Sequence, residues 1–391
     1  MNSASLTFYD TSRVYYSSYY LNGFNELKNT HKLKISISNL LPRQLNAAIR
    51  NPEWQHSLFA MALFKYQQGD KEWYFCIDTH DANSVNAANH TGGYHLPLLQ
   101  NVDVYFKVNY NPNEIAQTPE LKIFQEKICS ISQFFPLRPT SLLPLSRRLL
   151  LPPTLFGFRP SIDYTYPNFD YLLDAKHRLR DLNNFQSLEE ITAYRKTHKD
   201  IDIFFVTSFR HNPNYEARHE ATMERRYQVM KKLSCIPTLN NAIGFSSSSS
   251  KTPPDKFAKI AHRRLSQSEY LETLARAKVV IYTQGIKGCI SSKFGLAMAI
   301  GIAVIGEPLM NNPELLTTHP HLREQFRYTD PDELVEHAIN LAIHPEKARE
   351  IGALNAATFD NYLAPRPTAQ YVLNTLFKFQ GRSVSTTHII D

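Results

Sequence analysis

The stretch GIKGCISSK, Gly285 to Lys293, gathers two glycines, two hydroxyls and two lysines within one short loop, directly ahead of the apolar run FGLAMAIGIAVIG. A strand, AKVVIYTQG, ends at Gly285, and a helix starting near Ser291 or Ser292 would present unpaired backbone N–H groups and the positive end of its dipole. Gly285 and Gly288 permit a tight turn and a close backbone approach, Ser291 and Ser292 add donors, and Lys293 adds a charge. That combination holds phosphate oxygens. The plainer reading is that the glycines turn the chain and the serines cap a helix. The stretch is neither GxxxxGK[ST] nor GxGxxG, so a P-loop or a dinucleotide fingerprint does not apply. A second group of reactive residues lies in CIDTHDAN, where Asp78, His80 and Asp81 follow a buried apolar run. Asp78 and His80 alternate and share one face of an extended strand end, from which either can take a proton from a hydroxyl. The alternative is a loop whose Asp and Asn residues cap the next helix. Arg13 stands at the end of the first strand, where it could meet a phosphate or an acceptor.

These residues need a frame that brings strand ends together. SLTFYD, LKISISNL, EWYFCIDTHD and VDVYFKVNY read as strands and the segment after Arg13 as a helix, while PEWQHSLFAMALFKYQQGD fits either. From Phe135 to Tyr171 seven prolines break any long element and suggest a connection. A second alternating series begins at KDIDIFFVTSF and continues through the helix EARHEATMERRYQVMKKLS, the serine-rich tract FSSSSSKTPPDK, and the capped helix SQSEYLETLARA. Two further helices open at Asp330–Pro331 and Pro345, and PTAQYVLNTLFKF forms a last one. Repeated strand–helix–strand order implies parallel sheets wrapped by helices, here two doubly wound α/β domains with a cleft between them.

Composition bounds the function classes. The 391 residues suffice for two domains, and 42% hydrophobic with 20% charged residues is globular. No run reaches the ~18 apolar residues of a membrane span, and the first residues lack a basic stretch followed by an apolar one, so no secretory signal is expected. The four cysteines are scattered, which suits a reducing cytoplasm better than a disulfide framework, and no His/Asp/Glu cluster has metal-ligand spacing. The net charge of +7 favours an anionic partner: a nucleotide, nucleic acid or an anionic membrane surface, the last allowing peripheral placement at the inner membrane face. The basic clusters HEATMERRYQVMKK and AKIAHRRL read as solvated helix faces, and they lack the interleaved aromatics that would favour nucleic acid.

From Ser268 to Tyr362 the order SEYLETLARAKVVIYTQG, SSKFGLAMAIGIAVIGEPL, YTDPDELVEHAINLAIHPEKAREIGALN and FDNYL resembles the C-terminal half of a GT-B glycosyltransferase of the group-1 and exostosin-like kind. KDIDIFFVTSFR, YYSSYYLNGFNEL and VDVYFKVNY extend the resemblance more loosely. It implies two Rossmann-like domains facing each other across a cleft: residues 1–165 for the acceptor, a connector at 166–195, residues 196–362 for the nucleotide sugar, and a helix and tail at 363–391 able to cross back. It also implies metal-independent transfer from a nucleoside-diphosphate sugar to a glycan or lipid-linked glycan, with no cofactor. The donor diphosphate would be held by Arg210, Lys293 or Lys287, Ser291 and Ser292 around Gly285 and Gly288; Asp78, His80 or Asp81 would receive the acceptor proton. One departure is visible. Leu296 stands where many group-1 members carry a donor-binding glutamate, which leaves Glu307 as the alternative acid and keeps open a binding protein without catalysis. A DNA-modifying transferase of the same fold is a third reading.

Overall fold

The apolar strand runs and the helix signals between them form two α/β units in the computed structural model. It describes residues 4–9, 12–38, 41–49, 54–82, 84–85, 93–138, 184–209, 216–247, 255–285 and 288–382. The first unit comprises Met1–Ser187 with Tyr362–Asp391, the second Leu188–Asn361.

In the first unit, β1 (Ala4–Tyr9), α1 (Val14–Leu27) and β2 (Leu33–Ser38) follow in order; then come α2 (Arg43–Ile49), β3 (Met61–Gln68), β4 (Lys71–Asp78), α3 (Leu96–Asn101), β5 (Val104–Lys107), α4 (Pro112–Gln117) and β6 (Ile128–Ser130). The sheet order is β2-β1-β3-β4-β5-β6. Only β3 runs antiparallel to its neighbours among these strands; it pairs with β1 from Ala4↔Gln68 and with β4 in a hairpin from Gln68↔Lys71. Without β3 the order is that of a doubly wound sheet whose direction of winding reverses between β1 and β4. The ambiguous segment thus resolves as a short 3₁₀ turn, Gln55–Ala60, followed by a strand filling that reversal. Five of its eight residues are buried, and Phe64 stacks on Phe75 at 4.9 Å and meets Phe8 at 5.2 Å and Phe24 at 5.3 Å, which favours a strand buried on both faces over a helix.

The second unit holds α5 (Leu188–Ala193), β7 (Ile201–Phe209), α6 (Glu216–Ser234), β8 (Asn241–Ser247), β9 (Ala261–His262), α7 (Gln267–Ala275), β10 (Ala277–Tyr282), α8 (Ser292–Ile300), β11 (Ala303–Gly306), α9 (Pro331–Ile343) and α10 (Pro345–Thr358). All its strands are parallel, in the order β11-β10-β7-β8-β9. Read outward from β7 this is the Rossmann arrangement. Alternation sorts the strands: Ile203, Phe205, Val279 and Ile281 enter the core with Met230 and Leu233 of α6 and Leu334 and Ala338 of α9, while Phe204 turns to the other face and meets Tyr270. The start of the serine tract is strand, since Phe245–Ser247 complete β8, and residues 248–254 lie outside the described residues. Residues 188–195, read from the sequence as connector, pack into the second unit. The Arg195 guanidinium there binds both oxygens of Asp360 at 2.7 Å and donates to Ala299 O at 2.8 Å.

After α10 a wide helical turn (Phe359–Leu363) leads into α11 (Pro365–Arg382), which packs along α1 within the first unit. No helix of the described residues is long and apolar enough to cross a membrane.

Candidate functional site

In an open parallel sheet the crevice for a ligand lies outside the carboxyl ends of the strands, where the winding reverses. In the second unit that point falls between β7 and β10. A cavity of about 50 Å³ sits there, lined by Thr207, Arg226, Tyr270, Thr283, Ser291 and Lys293. α6 delivers Arg226, whose Nε donates to Thr283 Oγ1 and whose Nη2 donates to Gln284 O, both at 2.9 Å. The first turn of α8 delivers Lys293; its ammonium donates to Val206 O at 2.7 Å and lies 5.3 Å from the Tyr270 ring centre. Burial pushes the Tyr270 phenol up, so it stays protonated, and its hydroxyl has no hydrogen-bond partner among the described residues. Two cations, a buried hydroxyl and a helix N-terminus therefore converge on one small cavity.

The glycine loop reaches this site differently from the sequence expectation. Gly285 N–H donates to Cys289 O at 2.9 Å and Gly288 N–H to Gly285 O at 3.2 Å, so both amides close the turn itself rather than facing a ligand. The close approach is nonetheless glycine's: a Cβ on Gly285 would sit 2.2 Å from Cys289 Sγ, and Gly288 has φ +75°. Ser291 is the N-cap of α8, its Oγ accepting from Lys293 N–H at 3.2 Å, and Ser292 is the first helical residue. Glu307, the alternative acid, braces two loops. It is buried, one oxygen pairs with Arg225 and the other accepts Gln284 N–H at 2.6 Å, which ties the loop after β10 to the loop after β11. Arg225 and Arg226 belong to a stretch read as a solvated face; the structure turns Arg226 toward the β10 loop and Arg225 toward Glu307 after β11. Neighbouring arginines on a helix that follows the unit's first strand were the available signal, but only the fold shows which way they point. Arg210 and Lys287 lie outside the described residues.

At the carboxyl ends of β4 and β5 in the first unit lies a closed charge cluster. Asp78 Oδ1 accepts from the His80 N–H and faces His80 Nδ1, both at 2.8 Å. Asp78 Oδ2 accepts from Tyr105 at 2.7 Å and lies 3.0 Å from the Lys107 ammonium. Lys107 also donates to His80 O at 3.0 Å, as does Asn109 at 3.3 Å, and neither Asp78 nor Lys107 has exposed surface. Burial pushes the Asp78 carboxyl up, but Lys107, His80 and Tyr105 together outweigh it and hold it at about 2. So acidic and enclosed a carboxylate is a poor base near neutrality. The carboxylate fixes the Nδ1–H tautomer of His80, and His80 Nε2, also buried, has no partner among the described residues. The edge of His80 meets Phe59 at 5.3 Å, and the exposed Arg13 guanidinium stacks over the same ring at 5.4 Å, so the structure brings Arg13, His80 and Asp78 together. Asp81 is exposed beyond them. Lys107 was missed because VDVYFKVNY reads as strand and its lysine as an outward residue. Among the described residues no group of three or more His, Cys, Asp or Glu could hold a metal ion.

Residues 239–374 match the family model described as glycosyl transferase-like. No curated protein matches the sequence. Among solved structures, a variant of TarM from S. aureus, in complex with fondaparinux, alpha-GlcNAc-glycerol and UDP, is 13% identical, with a TM-score of 0.41, over 76% of this chain and 50% of that one. The present chain thus spans half the length of that protein. A glycosyltransferase from Rickettsia africae ESF-5 is 10% identical, with a TM-score of 0.41, over 91% and 87% of the two chains. WaaG, a glycosyltransferase involved in lipopolysaccharide biosynthesis, is 10% identical, with a TM-score of 0.33, over 91% and 94%. The family match begins just ahead of β8 and takes in the α8 loop, β10, β11 and the last helices, so over residues 239–374 the chain is similar to the glycosyl transferase-like family.

Proposed function

We propose that the chain transfers a sugar from a nucleoside-diphosphate sugar to a hydroxyl of a glycan or lipid-linked glycan, without a metal ion. The observation that carries this reading is the meeting of Arg226, Lys293 and the α8 N-terminus at the β7/β10 reversal. When the sugar–oxygen bond breaks, the leaving oxygen keeps the electron pair and the diphosphate, already carrying two negative charges, gains one more; fixed cations with a helix dipole stabilise that charge as it develops. In this reading Ser291, Ser292 and Lys293 receive the phosphates and Arg226 replaces its bonds to the β10 loop with one to the leaving group. The acceptor proton goes to His80 Nε2, oriented through Nδ1 by Asp78, which acts as a positioning residue; the bond tightens only when acceptor is bound.

The test is thermal denaturation of the full chain with UDP, GDP, CMP and their sugars. Ligand at 100 times its Kd stabilises by about 2.7 kcal/mol. A rise with one nucleotide family, lost in Arg226→Ala and Lys293→Ala and unchanged by EDTA, supports the reading; no response to any nucleotide overturns it. Release of nucleoside diphosphate from the responding sugar nucleotide then separates transfer from the binding-only reading that Leu296 favours. Arg226→Ala is expected to lower turnover by ~10²–10³-fold.

A further inference from the structure

The sheet of the second unit has a second end, and it is cationic. Around the amino ends of β7, β10 and β11 lies a cavity of about 400 Å³, bordered by His198, Lys199, Lys278, Arg349, Gly301 and Pro345 among others, with no acidic residue among those that line it. At ~3.3 Å per residue the ends of β10 lie ~20 Å apart and those of β7 ~30 Å, so this cavity is separate from the Arg226–Lys293 site.

The charges around it do not cancel. Lys278 is neutralised by Asp202 at 2.6 Å. Nearby, Asp200 is held by Arg276, and Glu346 lies 3.4 Å from His344. Lys199 donates to Ala275 O at 2.5 Å, and neither it nor the exposed Arg349 has a carboxylate partner among the described residues. Burial lowers the Lys199 ammonium to about 8, the mark of a cation short of both water and counter-charge. The carboxyl end of α8 brings carbonyls to the same wall, but Arg195 caps Ala299 O and Asn355 caps Ile302 O, both at 2.8 Å. The first turn of α10, from Pro345, adds the positive end of a 14-residue helix. The volume falls within the ~300–1,000 Å³ of small-molecule sites.

We propose that this cavity is a second binding site, for a small phosphate-bearing anion, held by Lys199 and Arg349 with His198 at the rim. The site stands whether or not the donor reading does. Because a phosphate can come free in solution or as a lipid headgroup, the experiment has two arms. In the first, inorganic pyrophosphate is titrated calorimetrically into the full chain carrying Arg226→Ala, which weakens the other anion site. Binding is expected there, weakened by about tenfold or more on adding Arg349→Ala, an exposed position that leaves folding intact, and lost with Lys199→Met as well. Identical isotherms with and without Arg349→Ala overturn the proposal, as does the absence of binding in both arms. In the second arm the same proteins are sedimented with phosphatidylcholine vesicles with and without phosphatidylglycerol. Sedimentation that depends on Arg349, with pyrophosphate silent, overturns the free-anion site in favour of a headgroup.

Discussion

Lys107 is a residue whose meaning lies wholly in its partners. Its ammonium is enclosed between Asp78 Oδ2 and the His80 carbonyl, 5.3 Å from the Tyr94 ring centre. Removing one member of so buried a pair leaves an uncompensated charge, which costs about 3–5 kcal/mol. Lys107→Met is therefore expected to lower stability by that amount in urea denaturation, and Lys107→Met with Asp78→Asn by clearly less. The acid limb carries a second signature. The Asp78 carboxyl drops from 3.8 unfolded to about 2 folded, so its contribution is complete above pH 3.8 and is lost as pH falls through 2. By linkage this is worth roughly 2 kcal/mol. Denaturation between pH 2 and 5 should be flatter in Asp78→Asn than in wild type; equal slopes would show that Asp78 is not the group titrating.

Among the elements, α8 and α10 illustrate how close packing depends on missing side chains. Gly301 ends α8 at φ +72°, and a Cβ placed on Gly352 of α10 would lie 2.3 Å from Gly301 O. Gly352→Ala is expected to separate the two helices at a cost of about 1–3 kcal/mol, read as a lowered melting temperature, although alanine is the better helix former. At the other end of α8, Ser291→Ala removes the cap on Lys293 N–H. It should cost about 1 kcal/mol and, if the donor is bound at this turn, weaken nucleotide binding as well. The helix signals themselves were legible. SQSE predicts a capped start, and Ser266 and Glu269 form a reciprocal capping box, while Asp330 caps α9 from the position its Asp-Pro sequence indicates. β3 was not legible as a strand partner, because an apolar run bounded by Asn-Pro and Gly-Asp satisfies either period until its neighbours are known.

For the whole molecule, the division of the chain is not the division of the sequence. Residues after 361 return to the first unit, where α11 buries Val372, Leu373 and Leu376 and joins Thr368 Oγ1 to Ser132 Oγ at 2.6 Å. At about 1.5–3 kcal/mol for each aliphatic side chain, those three alone match a large part of the ~5–15 kcal/mol that keeps a protein folded. A chain ending at Asn361 is expected to expose the partner face of α1, with loss of soluble yield and strong binding of an apolar dye.

The sequence by itself determined what depends on neighbours a few residues away: buried strand runs, helix caps, the glycine turn after β10, and hence two wound α/β units. Only the tertiary structure decided which groups face one another. The Gly285 and Gly288 amides close their own turn, Arg226 reaches Thr283 across 57 positions, and Asp78 pairs with Lys107 from the neighbouring strand. The reason is physical. Periodicity and capping are set by local backbone geometry, whereas an ion pair or a ligand site needs side chains from distant segments, and packing alone brings those within 3 Å.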